Sequence, residues 1–546
     1  MNLNTQTTLS PNYRYILLSA FIAGIAFPGN QLGLLSFVAY IPVLNELFKG
    51  IGIYKKRSWF FIGFILGATY SCVSMYWVGL SNFGGFIGMT LTIAVRYGIC
   101  TLLFGIIVRR NQFFWCIVPL LVFQEYLTTY TELDYAWHWS AYSLTDFPLL
   151  CQIAEFTGAL GLSFSIYLVN TLLFLAYKYV DQRKRYAQFL LLYSTLFLSL
   201  NITLYYTSKN THTQAVKVGL LQPNIDPFLK WQRDYKHLST NRLFAGTQEA
   251  ISKGADHIVF PETSFPFYMR SGRYKHIRDS LRYLSDTYNA TLAVGVPDYA
   301  YIQNERHVYN SVFHFFPNQT GYNTYKKQKL VPVAEKVIYP AIFDLLGDLI
   351  PGLSGWSRGH TSTVFKSPHN IYTIDEHSEH YTFSHKDSLK FATIICIEST
   401  FPNLVSEFKN NGAKWINIIT NDGWFYPHWN WFKKIAHQLN FSPYLKGKGA
   451  YQHNKIAVLR AIENRITITR SANTGVSSII SPTGEILNYI DQYEQGVLVN
   501  YVPISSKPNP TLFSKYGHWF VFILLILFCI GILWQIKTFT REKKSR

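Results

Sequence analysis

The early part of the chain alternates long apolar stretches with short polar loops, a pattern typical of membrane helices. A helix needs about 20 apolar residues to cross a bilayer. The sequence predicts eight spans: Tyr13–Phe27, Leu32–Phe48, Trp59–Val78, Gly85–Val108, Phe113–Thr129, Leu160–Tyr177, Phe189–Tyr206 and Trp519–Ile536. The first is similar to a signal peptide, but its uncharged leader and the spans that follow at once favour a retained helix.

The charges in the connecting loops predict the orientation of these spans. Lys and Arg occur in loops 49–57, 109–110 and 178–185 and in the tail 537–546, whereas loops 28–31, 79–84 and 130–159 contain neither. Basic loops remain on the cytoplasmic side of a membrane. We therefore expect both termini to be cytoplasmic and residues 208–518 to face outward.

The long polar segment between the seventh and eighth spans has a different pattern, in which short apolar runs alternate with helical periodicity. This alternation predicts a soluble α/β domain. The predicted strands are Ala215–Leu221, His257–Pro261, Ala290–Val296, Val308–Phe316, Lys390–Cys396, Trp415–Thr420, Ile466–Arg470 and Val476–Ile480, and the predicted helices include Gln232–Ser252, Lys275–Tyr288 and Ala450–Arg465. The chain thus divides into a helical membrane domain (1–212), an α/β domain (213–505) and a C-terminal helix with a basic tail (506–546).

Composition supports a membrane protein. Hydrophobic residues make up 49% of the chain and charged residues only 15%, which is too apolar for an ordinary soluble protein. The net charge of +19 has three explanations, namely nucleic acid, anionic lipid or membrane topology. Much of the excess lies in the predicted cytoplasmic loops and tail, so the pattern favours topology and disfavours a nucleic-acid partner.

One cysteine stands out from the six in the chain. Cys396 is the only one in the α/β segment, and no CxxC or Cys/His metal spacing surrounds it. It follows the apolar run Phe391–Ile395, which predicts a buried strand. A cysteine at the end of a core strand is either a rigidly held nucleophile or a small buried apolar residue, and both interpretations remain open at this point.

A reactive thiol needs a base or a cation nearby. Glu262 follows the strand-like run Ile258–Pro261, and Lys327 and Glu335 lie close together further along. Each of these residues alone is typical of a solvated surface. In the order Glu262, Lys327, Cys396, however, they resemble the Glu-Lys-Cys triad of the nitrilase, or carbon–nitrogen hydrolase, superfamily.

With its apolar spans, the chain is similar to the apolipoprotein N-acyltransferase branch of that superfamily. The similarity is carried by Gly219–Ile225, Phe260–Thr263, Tyr325–Glu335, Cys396–Glu398 with Phe401–Pro402, Thr420–Phe425, Arg460–Arg465, Asn473–Val476 and, in the membrane part, Gln152–Ser163. The chain departs from the family at Ile397, where the family has Tyr, and at Val333–Ala334, where it has Phe-Gly. Because Ala334 has a Cβ, we expect a different loop shape around Glu335.

The resemblance implies a membrane protein with eight transmembrane helices and an extracytoplasmic nitrilase-like α-β-β-α sandwich. It also implies a reaction, in which an acyl chain moves from a membrane phospholipid to a thioester and then to the α-amine of diacylglyceryl-cysteine on a lipoprotein. The protein is expected to act as a monomer in the bacterial inner membrane, with its catalytic domain on the periplasmic side. No cofactor or metal is implied.

The resemblance also assigns roles to individual residues. Glu262 is the base, Cys396 the nucleophile, and Lys327 with the backbone N–H of Ile397 stabilises the oxyanion. The remaining implied roles are support of Lys327 by Glu335 and Glu398, and lining of the substrate route by Trp231 and Trp424. Solvated carboxylates and core or interface aromatics remain the alternatives for these last four residues.

Four further alternatives remain open. The same triad would serve a membrane-anchored amidase that uses water as acceptor, and a transporter or receptor would need no triad. The stretches Trp424–Phe432 and Ile342–Ile350 are loops on the core or arms that enter the membrane interface. In the insertion Pro368–Leu389, His377 and His380 indicate either half of a zinc site or a polar surface loop.

Overall fold

The computed structural model describes residues 10–111, 114–130, 134–209, 214–332, 334–336, 355–374, 381–426, 447–504 and 510–544. These residues form two compact units. The first contains the described residues up to Thr129, Ala136–Ile202 and the chain from His518 onward. The second contains Thr203–Gly517 and, from an earlier part of the chain, Tyr130, Asp134 and Tyr135.

The first unit is helical. Its helices, up to residue 209, are α1 (Tyr13–Ile25), α2 (Ile41–Lys49), α3 (Lys56–Ser74), α4 (Tyr76–Ser81), α5 (Phe83–Asn111), α6 (Ile117–Tyr126), α7 (Ala154–Thr157), α8 (Ala159–Lys178) and α9 (Arg183–Lys209), whose last residues belong to the second unit. Among the described residues, three helical segments are long and apolar enough to cross a membrane: Phe83–Val108, Ala159–Lys178 and Val180–Lys209. Tyr13–Ile25, Phe114–Thr129 and Trp519–Gln535 are shorter apolar helices.

The predicted span Leu32–Phe48 is not one helix. The structure has a 3₁₀ helix at Gly33–Phe37 and then α2, which begins at Ile41. Pro42 explains the break, because proline lacks an N–H and its ring clashes with the carbonyl group four residues earlier. Proline is favoured in the first turn of a helix, which is where α2 has it.

The second unit is built on strands. They are β1 (Gln214–Gln222), β2 (His257–Val259), β3 (Thr291–Ile302), β4 (Glu305–Phe315), β5 (Asn323–Lys326), β6 (Phe365–Ile374), β7 (Tyr381–Ile395), β8 (Trp415–Thr420), β9 (Thr467–Ala472), β10 (Ser477–Ile480), β11 (Ile486–Ile490) and β12 (Gly496–Ile504). Its helices are α10 (Arg233–Ser252), α11 (Lys275–Thr287), α12 (Pro402–Asn410), α13 (Lys448–Asn464) and α14 (Leu512–Tyr516). The chain then returns to the first unit in α15 (Trp519–Lys544).

The strands are hydrogen-bonded in the order β11-β10-β9-β8-β7-β6-β1-β2-β3-β4-β5, and β12 pairs with β1. Two sets run parallel, β1-β2-β3 and β7-β8-β9. Ser471 on β9 hydrogen-bonds the carbonyl oxygens of Leu221 on β1 and Val259 on β2, which are not its sheet neighbours. The two parallel sets therefore face each other, and polar residues that follow β2, β7 and β8 come close together.

A cluster of three histidines is buried in the core of the second unit. His257, His314 and His369 are at most 1% exposed, and their rings pack around Phe391. Burial lowers the pKa of His314 to about 3 and also lowers that of His257 well below its ordinary value. These two imidazoles are therefore neutral in the folded unit at physiological pH.

We expect this cluster to make the second unit less stable in acid. Below pH 6.5, the ordinary value for histidine, the unfolded chain binds protons that the folded unit does not bind, so falling pH favours unfolding. The effect grows until pH approaches 3, where His314 is protonated in the folded state as well. Thermal unfolding of the full chain in detergent, followed across pH 7 to 4, should show a weaker pH dependence for His314→Gln than for the wild type. Equal pH dependence of the two proteins would contradict this account.

Candidate active site

Cys396 lies where the buried end of β7 passes into a 3₁₀ helix. Residues 391–395 are fully buried, and the 3₁₀ helix extends over Cys396–Thr400. Cys396 itself is partly exposed and has a φ of +54°, a conformation that is uncommon outside glycine. Such strained positions persist only where the surrounding structure fixes them, and they cluster at active sites.

Glu262 lies three residues after β2 and is 6% exposed. Its Oε1 accepts hydrogen bonds from Asn310 Nδ2 at 2.7 Å and from Lys327 Nζ at 3.2 Å. Its Oε2 accepts from the backbone N–H of Asn421, just after β8, at 3.0 Å. The carboxylate is thus fixed by three donors from three separate elements.

Lys327 lies between two carboxylates. Its Nζ donates to Glu335 Oε1 at 2.8 Å as well as to Glu262, and the residue is 1% exposed. Burial alone would lower the pKa of the amine, but the negative charges of Glu262 and Glu335 outweigh it and raise the pKa. Lys327 is therefore a permanent cation inside the protein.

Glu335 contacts Lys327 directly and is also tied to its own loop. Its Oε2 accepts from the backbone N–H of Val331 at 2.8 Å, and its backbone N–H donates to the Val331 carbonyl oxygen at 2.9 Å. The loop closes on itself around Val331, and this holds the Glu335 carboxylate against the amine of Lys327.

Glu398 makes different contacts. It is fully buried and accepts hydrogen bonds from the Tyr325 hydroxyl at 2.9 Å and from the backbone N–H groups of Gln328 and Ile395, at 2.6 and 2.7 Å. Burial raises its pKa to about 7, and these hydrogen bonds oppose the rise. Glu398 therefore joins the strand end before Cys396 to the backbone that directly follows Lys327, instead of binding the amine of Lys327.

The charges around Cys396 determine its protonation. Removal from water raises the pKa of the thiol, and the Glu262 carboxylate raises it further, while the Lys327 ammonium opposes both. The sulfur therefore carries its proton at neutral pH. A thiol beside an ionised carboxylate is arranged to lose its proton during attack, not before it.

Three polar residues of this site were not among the site residues predicted from the sequence, although one of them, Asn421, lies in the matched stretch Thr420–Phe425. Asn310, in the middle of β4, donates to both Glu262 and Glu335, the second at 3.3 Å. Asn421 follows the apolar run of β8, a position that marked Glu262 and Cys396 and that could have marked it too. Lys230 is 3% exposed and donates to the carbonyl oxygen of Thr263 at 3.1 Å, and burial lowers its pKa to about 8 against the pull of Glu262.

The two tryptophans expected on the substrate route are exposed. Trp231 is 42% exposed and lies next to the buried Lys230, and Trp424 is 41% exposed. The ring of Phe228 packs edge-on against that of Trp424, with 4.6 Å between the centroids. Large aromatic surfaces that the second unit leaves uncovered are suited to contact with an apolar ligand or a lipid interface.

An ion-paired aspartate fastens the loop that carries Lys327 and Glu335. Asp134 accepts from Lys329 Nζ at 3.0 Å and from Lys336 Nζ at 2.8 Å. The two lysines lie on either side of Glu335 in sequence, and the Asp134 side chain is 11% exposed. One carboxylate therefore holds the loop at two points and neutralises charge beside the catalytic candidates.

Replacing Asp134 with asparagine should loosen this loop. We expect a loss of about 10-fold in activity and of about 1–3 kcal/mol in stability, since two partly buried ammonium groups lose their shared negative charge and one of them also loses its acceptor oxygen. The matched control is Glu249→Gln, which removes the carboxylate of the exposed ion pair with Lys253. It should leave the activity unchanged and change the stability by less than about 0.5 kcal/mol. Activity and unfolding midpoints of the three proteins in detergent check this, and an Asp134→Asn variant that matches the control would contradict it.

Two earlier hypotheses lie largely outside the described residues. Residues 427–432 of the aromatic stretch, the whole of 342–350, and both His377 and His380 of the proposed zinc pair are among them. In the part of the chain that the structure describes, no group of three or more His, Cys, Asp or Glu side chains is arranged to hold a metal ion.

Two family models match the chain. The Carbon-nitrogen hydrolase model matches residues 217–506, more than half of the chain, and the Apolipoprotein N-acyltransferase N-terminal domain model matches residues 19–172. The matched ranges include most of the second unit and a large part of the helices that precede it.

Curated relatives match nearly from end to end. A Chlorobaculum tepidum protein named Apolipoprotein N-acyltransferase is 27% identical over 529 residues, which cover 91% of this chain and 92% of that relative. Proteins of the same name from Geobacter metallireducens and Thermotoga maritima are 24% and 25% identical, cover 93% and 94% of this chain, and are each covered to 92%. The similarity therefore includes both the helical and the α/β parts.

Proposed function

Because the chain belongs to the carbon–nitrogen hydrolase family, we propose that it transfers acyl groups through a thioester on Cys396. Its full-length similarity to apolipoprotein N-acyltransferases supports a phospholipid as acyl donor and the α-amine of a diacylglyceryl-cysteine lipoprotein as acceptor. The observation that carries the proposal is the buried ion cluster of Glu262, Lys327 and Glu335 beside a cysteine at a strand end.

In the first step Glu262 takes the proton from the Cys396 thiol as the sulfur attacks the ester carbonyl carbon of the phospholipid. The thiol keeps its proton at neutral pH because burial and the Glu262 carboxylate raise its pKa, and this supports transfer of the proton during attack. The bond from the carbonyl carbon to the glycerol oxygen then breaks. Glu262 returns the proton to that oxygen, so that lysophospholipid leaves and a thioester remains.

Negative charge develops on the carbonyl oxygen during attack, and Lys327 and the backbone N–H of Ile397 stabilise it. Lys327 is suited to this because it remains charged and is held at a fixed position by two carboxylates. Ile397 is the second residue of its 3₁₀ helix, and the first N–H groups of such a turn have no intrahelical acceptor. A donor of this kind is worth about 2.7–4 kcal/mol in the transition state.

In the second step the free amine of the acceptor attacks the thioester carbon. Glu262 again takes a proton, now from the amine, and the carbon–sulfur bond breaks. The proton returns to the sulfur, which restores the Cys396 thiol and releases the N-acylated product. Both steps use the same base and the same oxyanion donors. In each step Glu262 first takes a proton from the attacking group and then returns it to the leaving group, so it acts as base and as acid in turn.

A membrane location supports this chemistry, since donor and acceptor are both lipids. We propose eight membrane-spanning segments in a bacterial inner membrane, the second of them a 3₁₀ helix followed by α2. The catalytic residues would lie on the periplasmic side and both termini in the cytoplasm, since every loop agrees with the charge rule. We also propose the division into 1–212, 213–505 and 506–546, and action as a monomer. The exposed Trp231 and Trp424 would line the route of the acyl chain.

Trapping of the acyl-enzyme tests the function. The full chain is incubated in detergent with phosphatidylethanolamine, and peptide mass spectrometry measures a fatty-acyl adduct on Cys396. Addition of a synthetic diacylglyceryl-cysteine peptide should then remove the adduct and give an N-acylated peptide. An adduct-free protein that releases ammonia from simple amides would contradict acyl transfer and favour the amidase alternative.

A further inference from the structure

A buried histidine lies directly behind the nucleophile and takes no part in the steps above. His453, in α13, is fully buried, and its Nε2 lies 3.1 Å from the carbonyl oxygen of Cys396 and 2.9 Å from Ser399 Oγ. The Ser399 hydroxyl also donates to this carbonyl, at 2.9 Å. A carbonyl oxygen only accepts hydrogen bonds. Nε2 must therefore carry a proton, which it directs at the backbone of Cys396.

Two charged side chains hold the imidazole from its other side. Nδ1 of His453 lies 3.0 Å from Asp422 Oδ1 and 3.0 Å from Arg470 Nη2. Asp422 and Arg470 also form an ion pair with each other, and both are fully buried. Burial alone would raise the pKa of Asp422, but Arg470 and His453 lower it. The carboxylate is thus ionised. With its proton on Nε2, the ring accepts from Arg470 Nη2 at Nδ1 and is held between the Asp422–Arg470 ion pair and the Cys396 carbonyl.

The three members come from separate elements. Asp422 follows β8, His453 is in α13, and Arg470 is on β9. A buried polar network that joins three elements holds the groups it contacts in place. Here the contacted group is the peptide that links Cys396 to Ile397.

The carbonyl of Cys396 and the N–H of Ile397 belong to one peptide group. A hydrogen bond to the carbonyl oxygen draws electron density toward that oxygen and makes the N–H of the same group a stronger donor. The Ile397 N–H is the backbone donor that the proposed reaction assigns to the oxyanion. A donor to the Cys396 carbonyl oxygen therefore makes the Ile397 N–H stabilise the transition state more strongly.

We propose that His453, held by Asp422 and Arg470, is a positioning residue that polarises the Cys396–Ile397 peptide and so strengthens the oxyanion hole. This role rests on the proposed acyl transfer and extends it to residues that touch no substrate. It also applies to any acyl donor that reacts with Cys396, because each passes through the same oxyanion.

Two variants and two reactions test the role. His453→Leu removes the donor, whereas His453→Gln keeps an amide N–H at similar reach. Acylation is measured as the burst of p-nitrophenolate released from p-nitrophenyl butyrate by the full chain in detergent. Alkylation of Cys396 by iodoacetamide, followed by peptide mass spectrometry, is the second reaction, since it uses the same sulfur but forms no oxyanion.

We expect His453→Leu to lower the acylation rate by about 10-fold, less than the loss of a whole oxyanion donor, with an unchanged KM. Alkylation of Cys396 should stay within about two-fold of the wild type, and His453→Gln should recover most of the acylation rate. If His453→Leu does not fold, His453→Asn, whose shorter amide does not reach the Cys396 carbonyl, replaces it with the same expectations.

Three results would overturn the proposal. The first is a wild-type acylation rate in His453→Leu, and the second is an equal fall of the acylation and alkylation rates in that variant. The third is an acylation rate in His453→Gln that is no higher than in His453→Leu. The equal fall would mean that His453 only supports the position of the sulfur. Failure of the wild type to form a thioester from phosphatidylethanolamine, with a normal p-nitrophenolate burst, would contradict the proposed function and still leave the comparison of variants valid.

Discussion

Replacement of Cys396 by alanine is expected to abolish N-acyl transfer, with a loss of at least about 10⁴-fold. Both proposed steps make or break a bond at the sulfur, and in the described residues no other cysteine is placed beside Glu262 and Lys327. The measurement is the rate of N-acylation of a diacylglyceryl-cysteine peptide by the full chain in phospholipid vesicles. The fatty-acyl adduct on residue 396 should disappear as well.

The matched control is Cys529→Ala, which removes an exposed cysteine of α15 and should leave the rate unchanged. The Cys396→Ala protein should keep its unfolding midpoint, because alanine at a φ of +54° is strained to a similar degree as cysteine. Activity of Cys396→Ala above one hundredth of the wild type would show that the sulfur is not the nucleophile.

The central residues of the site could be identified from the sequence through the family resemblance, which the family-model match confirms. The structure brings Glu262 and Lys327 into contact although 65 positions separate them. Local pattern alone identified only the strand ends before Glu262 and Cys396, because periodicity predicts which residues are buried but not which distant segments meet. The assignment of catalytic roles to these residues remains a proposal.

The supporting residues were less predictable for the same reason. Asn310 sits inside β4, where a polar residue among apolar neighbours has the same pattern as any half-buried strand. Glu398 was expected to orient Lys327 itself, yet its oxygens bind the backbone of Gln328 and Ile395. The atoms that a buried carboxylate binds depend on tertiary geometry. The position of Glu398 next to Cys396 in the sequence therefore did not predict its hydrogen-bond partners.

The same limit applies to the fold. β8 was predicted at the bounds that the structure has, Trp415–Thr420, because a fully buried strand is a continuous apolar run. β6 and β12 were missed, and each contains a proline, Pro368 and Pro503, that argues against a central strand. β12 pairs only with β1 among the described strands, and such an edge strand tolerates proline.

Replacement of Lys327 by methionine is expected to abolish activity and also to destabilise the second unit by about 3–5 kcal/mol. Methionine fills a similar volume but leaves the carboxylates of Glu262 and Glu335 buried side by side without a cation. Asn310 then remains as their shared donor, and it does not neutralise charge. Thermal unfolding in detergent and the N-acylation rate measure the two effects.

A second substitution separates stability from chemistry. In Lys327→Met with Glu335→Gln, only the Glu262 carboxylate remains charged, and it still accepts from Asn310 and from the backbone N–H of Asn421. The double variant should regain most of the lost stability, because the repulsion is gone, yet remain inactive, because nothing positive faces the developing oxyanion. Recovery of activity together with stability would mean that Lys327 serves only to neutralise its neighbours. An inactive but stable double variant would instead support a direct part for the ammonium in the transition state.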